Sequence, residues 1–184
     1  KHLENPASVL SPISSVIAQG FNSLARITIC LDLVLVAVFP DKLNKKLEIL
    51  RSKIASETGS KEALSWPPHI TIRGFMIEPE EIATLVKYIK EILRNSGPIN
   101  LKLEGFQLYD NFPVSQYVTS PYVASIKVVN HKKLVILYKK LMKVAYPKLI
   151  KYKFDPHITL AYNDVNKEKF EKIKDILKDI NFKE

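Results

Sequence analysis

Apolar and polar positions along this chain fall into alternating short strands and amphipathic helices. Within the apolar run Leu24–Phe39, the β-branched Val34, Val36 and Val38 recur at every second position, which predicts a buried strand, or two, over Ile27–Phe39, closed by Pro40-Asp41. Leu43, Leu47, Leu50 and Ile54 then follow at helical spacing among charged residues. Ile70–Phe75 reads as a short strand. Pro79 opens a helix with the apolar face Ile82, Leu85, Val86, Ile89 and Leu93, stopped by Gly97-Pro98. Ile99, Leu101 and Leu103 alternate with Asn100, Lys102 and Glu104, predicting a half-buried strand that ends at Gly105. Tyr109–Ser120 reads as a loop or irregular hairpin, and Tyr122–Val129 as a strand. Leu134, Leu137, Leu141 and Ala145 mark a third helix ending before Pro147. Ile158–Tyr162 is a further strand, and Asn166 caps a last helix carrying Phe170, Ile173, Ile176 and Leu177. Short connections between alternating strands and helices predict an α/β or α+β sandwich.

Length and composition narrow this picture. The 184 residues fit one domain or two closely packed lobes, and 46% hydrophobic residues suffice for a core. Residues 1–26 carry Pro6, Pro12 and many serines with little periodicity; they read as a leader or loosely attached arm, before a single bilobal domain over 27–184. Leu24–Phe39 is too short for a membrane span and is interrupted by Arg26 and Asp32. It also ends in Phe39-Pro40 rather than in a cleavage site of small residues. The single Cys30 excludes an internal disulfide and fits a reducing compartment, so a soluble, cytoplasmic protein is expected. No Cys/His cluster has metal-ligand spacing. The net charge of +9 points to an anionic partner, and nine lysines fall between Lys127 and Lys153 without one Asp or Glu. A lysine-rich soluble surface is the plainer reading of the same charge.

The chemistry is concentrated in a repeat. Pro68-His69-Ile70-Thr71 and Pro156-His157-Ile158-Thr159 stand 88 positions apart, each followed by a turn and an amphipathic helix. In a strand, side chains two apart share a face, so His69 projects with Thr71 and His157 with Thr159, while Ile70, Ile72, Ile158 and Leu160 turn inward. A lone histidine on a strand is usually structural, as His131 is expected to be at the head of its helix. Two of four histidines in matching segments are not explained that way. One neutral imidazole can take a proton from water or a ribose hydroxyl, and the other, protonated, can give one to a leaving oxygen. The two threonine hydroxyls can hold non-bridging phosphate oxygens, and the scheme needs no metal or cofactor. The repeat also implies that a strand should follow the last helix, as Ile99–Leu103 follows the earlier one. Only Asn181–Glu184 remain there, so that strand is expected to be incomplete.

Pro68-His69-Ile70-Thr71-Ile72 and Pro156-His157-Ile158-Thr159-Leu160 resemble the paired His-x-Thr/Ser-x motifs of the 2H phosphoesterase superfamily, over roughly residues 31–184. That group includes 2′-5′ RNA ligase-like proteins, RNA 2′,3′-cyclic phosphodiesterases and plant cyclic phosphodiesterases. The resemblance implies an α+β, bilobal pseudo-twofold fold with two antiparallel sheets flanking a central cleft and helices outside. It implies His69 and His157 as catalytic residues, Thr71 and Thr159 as phosphate ligands, and opening of a 2′,3′-cyclic phosphate on RNA ends or nucleotides to a 2′-phosphate. Ligation to a 2′-5′ bond with the same residues, and an RNA- or nucleotide-binding module without turnover, are the alternatives. A monomer is expected, and which histidine is base and which acid is left open.

Two sets of neighbours complete the candidate site. Arg73, on the strand face of His69 and Thr71, is either a phosphate contact or an exposed strand-end charge. Tyr162, Phe106, Tyr109 and Tyr117 are core or loop residues first, and base-stacking residues second.

Overall fold

The computed structural model describes residues 31–94, 96, 99–115, 117–143 and 154–184. The expected arm over 1–26, Cys30, the helix stop at Gly97-Pro98, the Ala145-Pro147 helix end and the last three lysines of the basic run lie outside the described residues. Among the described residues five strands are formed: β1 (Leu31–Val38), β2 (His69–Ile77), β3 (Leu103–Tyr109), β4 (Val123–Val128) and β5 (His157–Ala161). The same residues form four α-helices: α1 (Asp41–Thr58), α2 (Ile82–Arg94), α3 (Lys132–Leu141) and α4 (Lys167–Lys178). The strands join one sheet in the order β1-β2-β5-β4-β3, where two sheets are expected. The reason is that the two motif strands β2 and β5 are direct antiparallel neighbours, paired at Ile70 and Ile158.

The chain divides into two compact units, one comprising the described residues of 31–35, 72–98 and 135–154 and the other 36–71, 99–134 and 155–184. In the first, Phe75, Ile77 and Leu85 form a buried cluster against Leu33, Leu35, Ile82 and Ile89. Val86 and Leu93, on the apolar face expected for α2, are instead 40% and 42% exposed. In the second, α1 and α4 pack on each other, α1 on β5, and α4 on β4. Leu47, Ile54, Phe170 and Ile173 from the helices and Ile70, Ile126 and Ile158 from the strands are all but fully buried. Each such side chain contributes about 1.5–3 kcal/mol on leaving water, so the isoleucines fix which face of β2 and β5 turns inward.

Local signals account for most boundaries. Gly59, left-handed at φ 74°, ends α1 by donating its N–H to the Ala55 carbonyl. The Asn166 side chain accepts from the Lys169 N–H at 2.9 Å, capping α4 as expected. Gly105 does not end the strand before it. Left-handed at φ 71°, it sits in a register shift between Leu103 and Phe106, a bulge through which β3 continues to Tyr109, into the expected loop. At the other edge of β3, Leu103 exchanges backbone hydrogen bonds with Glu184, and the Gly105 N–H donates to the Phe182 carbonyl. No helix among the described residues is long and apolar enough to cross a membrane.

Candidate active site

Alternation carries the site. Ile70 and Ile158 lie opposite each other and both are fully buried, so their flanking residues emerge on the other face of the sheet. The antiparallel register then sets His69 across from Thr159, and Thr71 across from His157. A local twofold axis through the isoleucine pair relates the two motifs. Directly opposed side chains in such a ladder have Cβ atoms roughly 4.5–5.5 Å apart, and diagonal ones such as the two histidines roughly 7–8 Å. Two imidazoles and two hydroxyls thus surround one point on the sheet surface.

Both rings are held in the same way. His69 Nδ1 donates to the Pro67 carbonyl at 2.8 Å, and His157 Nδ1 to the Asp155 carbonyl at 2.8 Å. A carbonyl can only accept, so Nδ1 carries the proton in each neutral ring and Nε2 is the nitrogen able to accept one. The intervening prolines, Pro68 and Pro156, are both buried and hold the preceding residue extended, which brings its carbonyl under the ring.

The surroundings of the two rings differ. Trp66 meets His69 edge-on, with ring centroids 6.2 Å apart. Burial pushes His69 below the ordinary histidine value, and the charges of Arg51 and His157 add to this, against the opposing effect of its bond to Pro67. Arg51, from α1, is 4% exposed and donates from Nη1 to the Trp66 carbonyl at 2.8 Å. Tyr162, just past β5, is raised by burial and by the charge of Glu62, with Arg51 opposing. His157 is flanked by Phe112 and Tyr109, at 6.3 and 6.4 Å between ring centroids, and those two rings meet edge-on at 5.1 Å. The Tyr109 hydroxyl donates to Asp155 Oδ2 at 2.9 Å, and burial, then that carboxylate, raise its pKa. On β4, the exposed Lys127 pairs in register with His157, and Ser125 with Thr159.

The expected residues are therefore not all together. His69, Thr71, His157, Thr159 and Tyr109 share one face, with Tyr162 at the end of β5. Phe106 does not join them: it pairs with Ile126, which pairs with buried Ile158, so it stands on the opposite face, near the Phe182 ring. Arg73 is neither an exposed strand-end charge nor an open phosphate contact; it is 1% exposed, with its guanidinium 4.7 Å from the centre of the Phe75 ring. Lys127, Arg51, Trp66, Phe112 and Asp155 were missed. Asp155 was findable, since it and Pro67 occupy the same position, two before each histidine. The others are brought in by pairing and packing that no local pattern announces.

The family model described as the 2′-5′ RNA ligase superfamily matches residues 39–183. Three bacterial relatives, each named only provisionally as a phosphoesterase, are similar to the chain. The protein of Halalkalibacterium halodurans is 31% identical over 98 residues, 53% of each chain. That of Bacillus licheniformis is 27% identical over 127 residues, 68% of each, and that of Bacillus pumilus 28% over 127 residues, 68% of this chain and 67% of its own. The match thus spans about half the length of the first relative and about two thirds of the other two. The chain belongs to the 2′-5′ RNA ligase superfamily, the two-histidine phosphoesterases.

Proposed function

We propose that this protein is a phosphoesterase that opens 2′,3′-cyclic phosphates, on RNA ends or nucleotides, to 2′-phosphates by acid–base catalysis between His69 and His157. The observation that carries this reading is the cross-strand register, His69 facing Thr159 and Thr71 facing His157, with both Nε2 atoms left open by identical Nδ1 bonds. His69 acts as the base, because burial and the nearby Arg51 charge favour its neutral form. Its Nε2 takes a proton from water as the water oxygen bonds to phosphorus and the P–O3′ bond breaks. His157, protonated, gives its Nε2 proton to the departing O3′, and O2′ keeps the phosphate. The Thr71 and Thr159 hydroxyls donate to the non-bridging oxygens as negative charge grows on them. Lys127, beside His157, adds a cation to the same anionic group.

The test is an assay with EDTA present, on nucleoside 2′,3′-cyclic phosphates and on RNA ending in one, with the product identified by phosphorus NMR. The reading expects turnover to the 2′-phosphate. Formation of the 3′-phosphate, or no turnover of either substrate, would contradict it.

A further inference from the structure

The two motifs are identical from proline to threonine, yet the chain that leads into each is different, and that chain supplies the carbonyl that aims the ring. A backbone carbonyl orients an imidazole only as well as its own segment is fixed. A side chain from a distant element reaches each approach segment next to the carbonyl that aims the ring. Before the first motif, Arg51 reaches from the buried face of α1 to the Trp66 carbonyl at 2.8 Å, one residue before the Pro67 carbonyl that receives His69 Nδ1. Before the second, Tyr109 at the end of β3 donates to the carboxylate of Asp155 at 2.9 Å, the residue whose own carbonyl receives His157 Nδ1.

We propose that Arg51 and Tyr109 are matched positioning residues, one for each histidine, that hold the two Nε2 atoms on the shared face by pinning the carbonyls behind them. Neither hydrogen bond reaches the imidazole itself, so both act through the backbone. The pins also separate the rings electrostatically. The charged and titratable groups about His69 are Arg51 and His157; those about His157 are Asp155, Tyr109, the Lys127 paired with it on β4, and His69. The cation thus sits behind one ring and the carboxylate behind the other, which breaks the symmetry that the repeated sequence imposes. The kinetic consequence rests on the two-histidine reading above, but the geometric one does not.

The experiment compares Tyr109→Phe and Arg51→Lys with the wild type by long-range ¹H–¹⁵N NMR of the histidines and by steady-state kinetics. Tyr109→Phe keeps the ring packed on Phe112 and beside His157, and removes only the hydroxyl. It should move His157 from the Nδ1–H form towards a mixture of tautomers, leave His69 unchanged, and lower kcat roughly tenfold with KM within about twofold. Arg51→Lys should do the same at His69 alone. Wild-type tautomers and kcat in Tyr109→Phe would overturn the proposal, as would either variant shifting both histidines together, the mark of general loosening. Should Arg51→Lys not fold, Tyr109→Phe decides alone. Should the wild type turn over no cyclic phosphate, the functional reading falls while the tautomers still decide the positioning.

Discussion

Asp164 offers a perturbation whose size can be worked from the structure. It follows β5 and ties that end of the strand to the 3₁₀ turn Glu62–Ser65, which leads into Trp66 and the first histidine. Its carboxylate accepts from Ser60 Oγ at 2.6 Å, from the Lys61 N–H at 2.6 Å and from the Glu62 N–H at 3.2 Å. Hydrogen bonds to a charged group contribute about 1.5–3 kcal/mol each, with water held off. The carboxylate is only partly buried, so solvent screening brings the three together to about 2 kcal/mol. Asp164→Ala should therefore lower Tm by about 4–8 °C for a chain of this size. The pH dependence has a definite sign. Burial raises the Asp164 pKa, but the Ser60, Lys61 and Glu62 bonds outweigh it and hold the carboxyl below the usual carboxylate range. A group lowered on folding contributes stability above its unfolded value, near 3.9, and loses it as pH falls through the folded one. Calorimetry of both proteins between about pH 3 and 7 should show the gap in Tm constant above about pH 5 and closing below about pH 4. A gap under about 1 °C at neutral pH, or one unchanged down to about pH 3, would refute the clamp.

Three further outcomes follow. Burial lowers the His69 pKa, so a base that must be neutral stays active below the ordinary histidine value; the acidic limb of kcat/KM should fall below about pH 6.5, and a limb above it would reverse the assignment. Ile158→Ala removes a fully buried side chain at the centre of the motif ladder and should cost about 3 kcal/mol in urea unfolding; a loss under about 1 kcal/mol would mean that the isoleucine pair does not fix the register. Lys127→Ala should raise KM for a cyclic-phosphate substrate roughly fivefold at low salt, with the effect shrinking as salt is added; a salt-independent change would remove the lysine from the phosphate.

Strong local patterns made much of the fold legible in advance. The helical faces of α1 and α4, the Asn166 cap and the alternation of β2 and β5 are decided by nearest neighbours, and the shared face of the four motif residues was readable because alternation alone sorts His and Thr from Ile. The extent of β3 was not readable: a glycine that ends a strand and one that bulges it look alike until the partner strand is known, and here β4 continues past Gly105. The single sheet was hidden for a related reason, since no residue of β2 states that its neighbour is β5. Arg73 shows the limit of face-sharing arguments. It has the parity of Thr71, but Ile72, Phe75 and Ile77 about it are buried as well, and the guanidinium meets Phe75 instead of solvent. Lys127 lay within a conspicuous basic run, yet only its pairing with His157 distinguishes it from the other lysines.

The most direct test of the central claim is the kinetics of His69→Ala, His157→Ala and the double variant on a 2′,3′-cyclic phosphate, with Tm measured on each. If the two imidazoles act as one acid–base unit, each single variant should lose about 10³-fold or more in kcat with Tm nearly unchanged, and the double should lose little beyond either. A single variant that keeps wild-type kcat, or losses that multiply in the double, would contradict it.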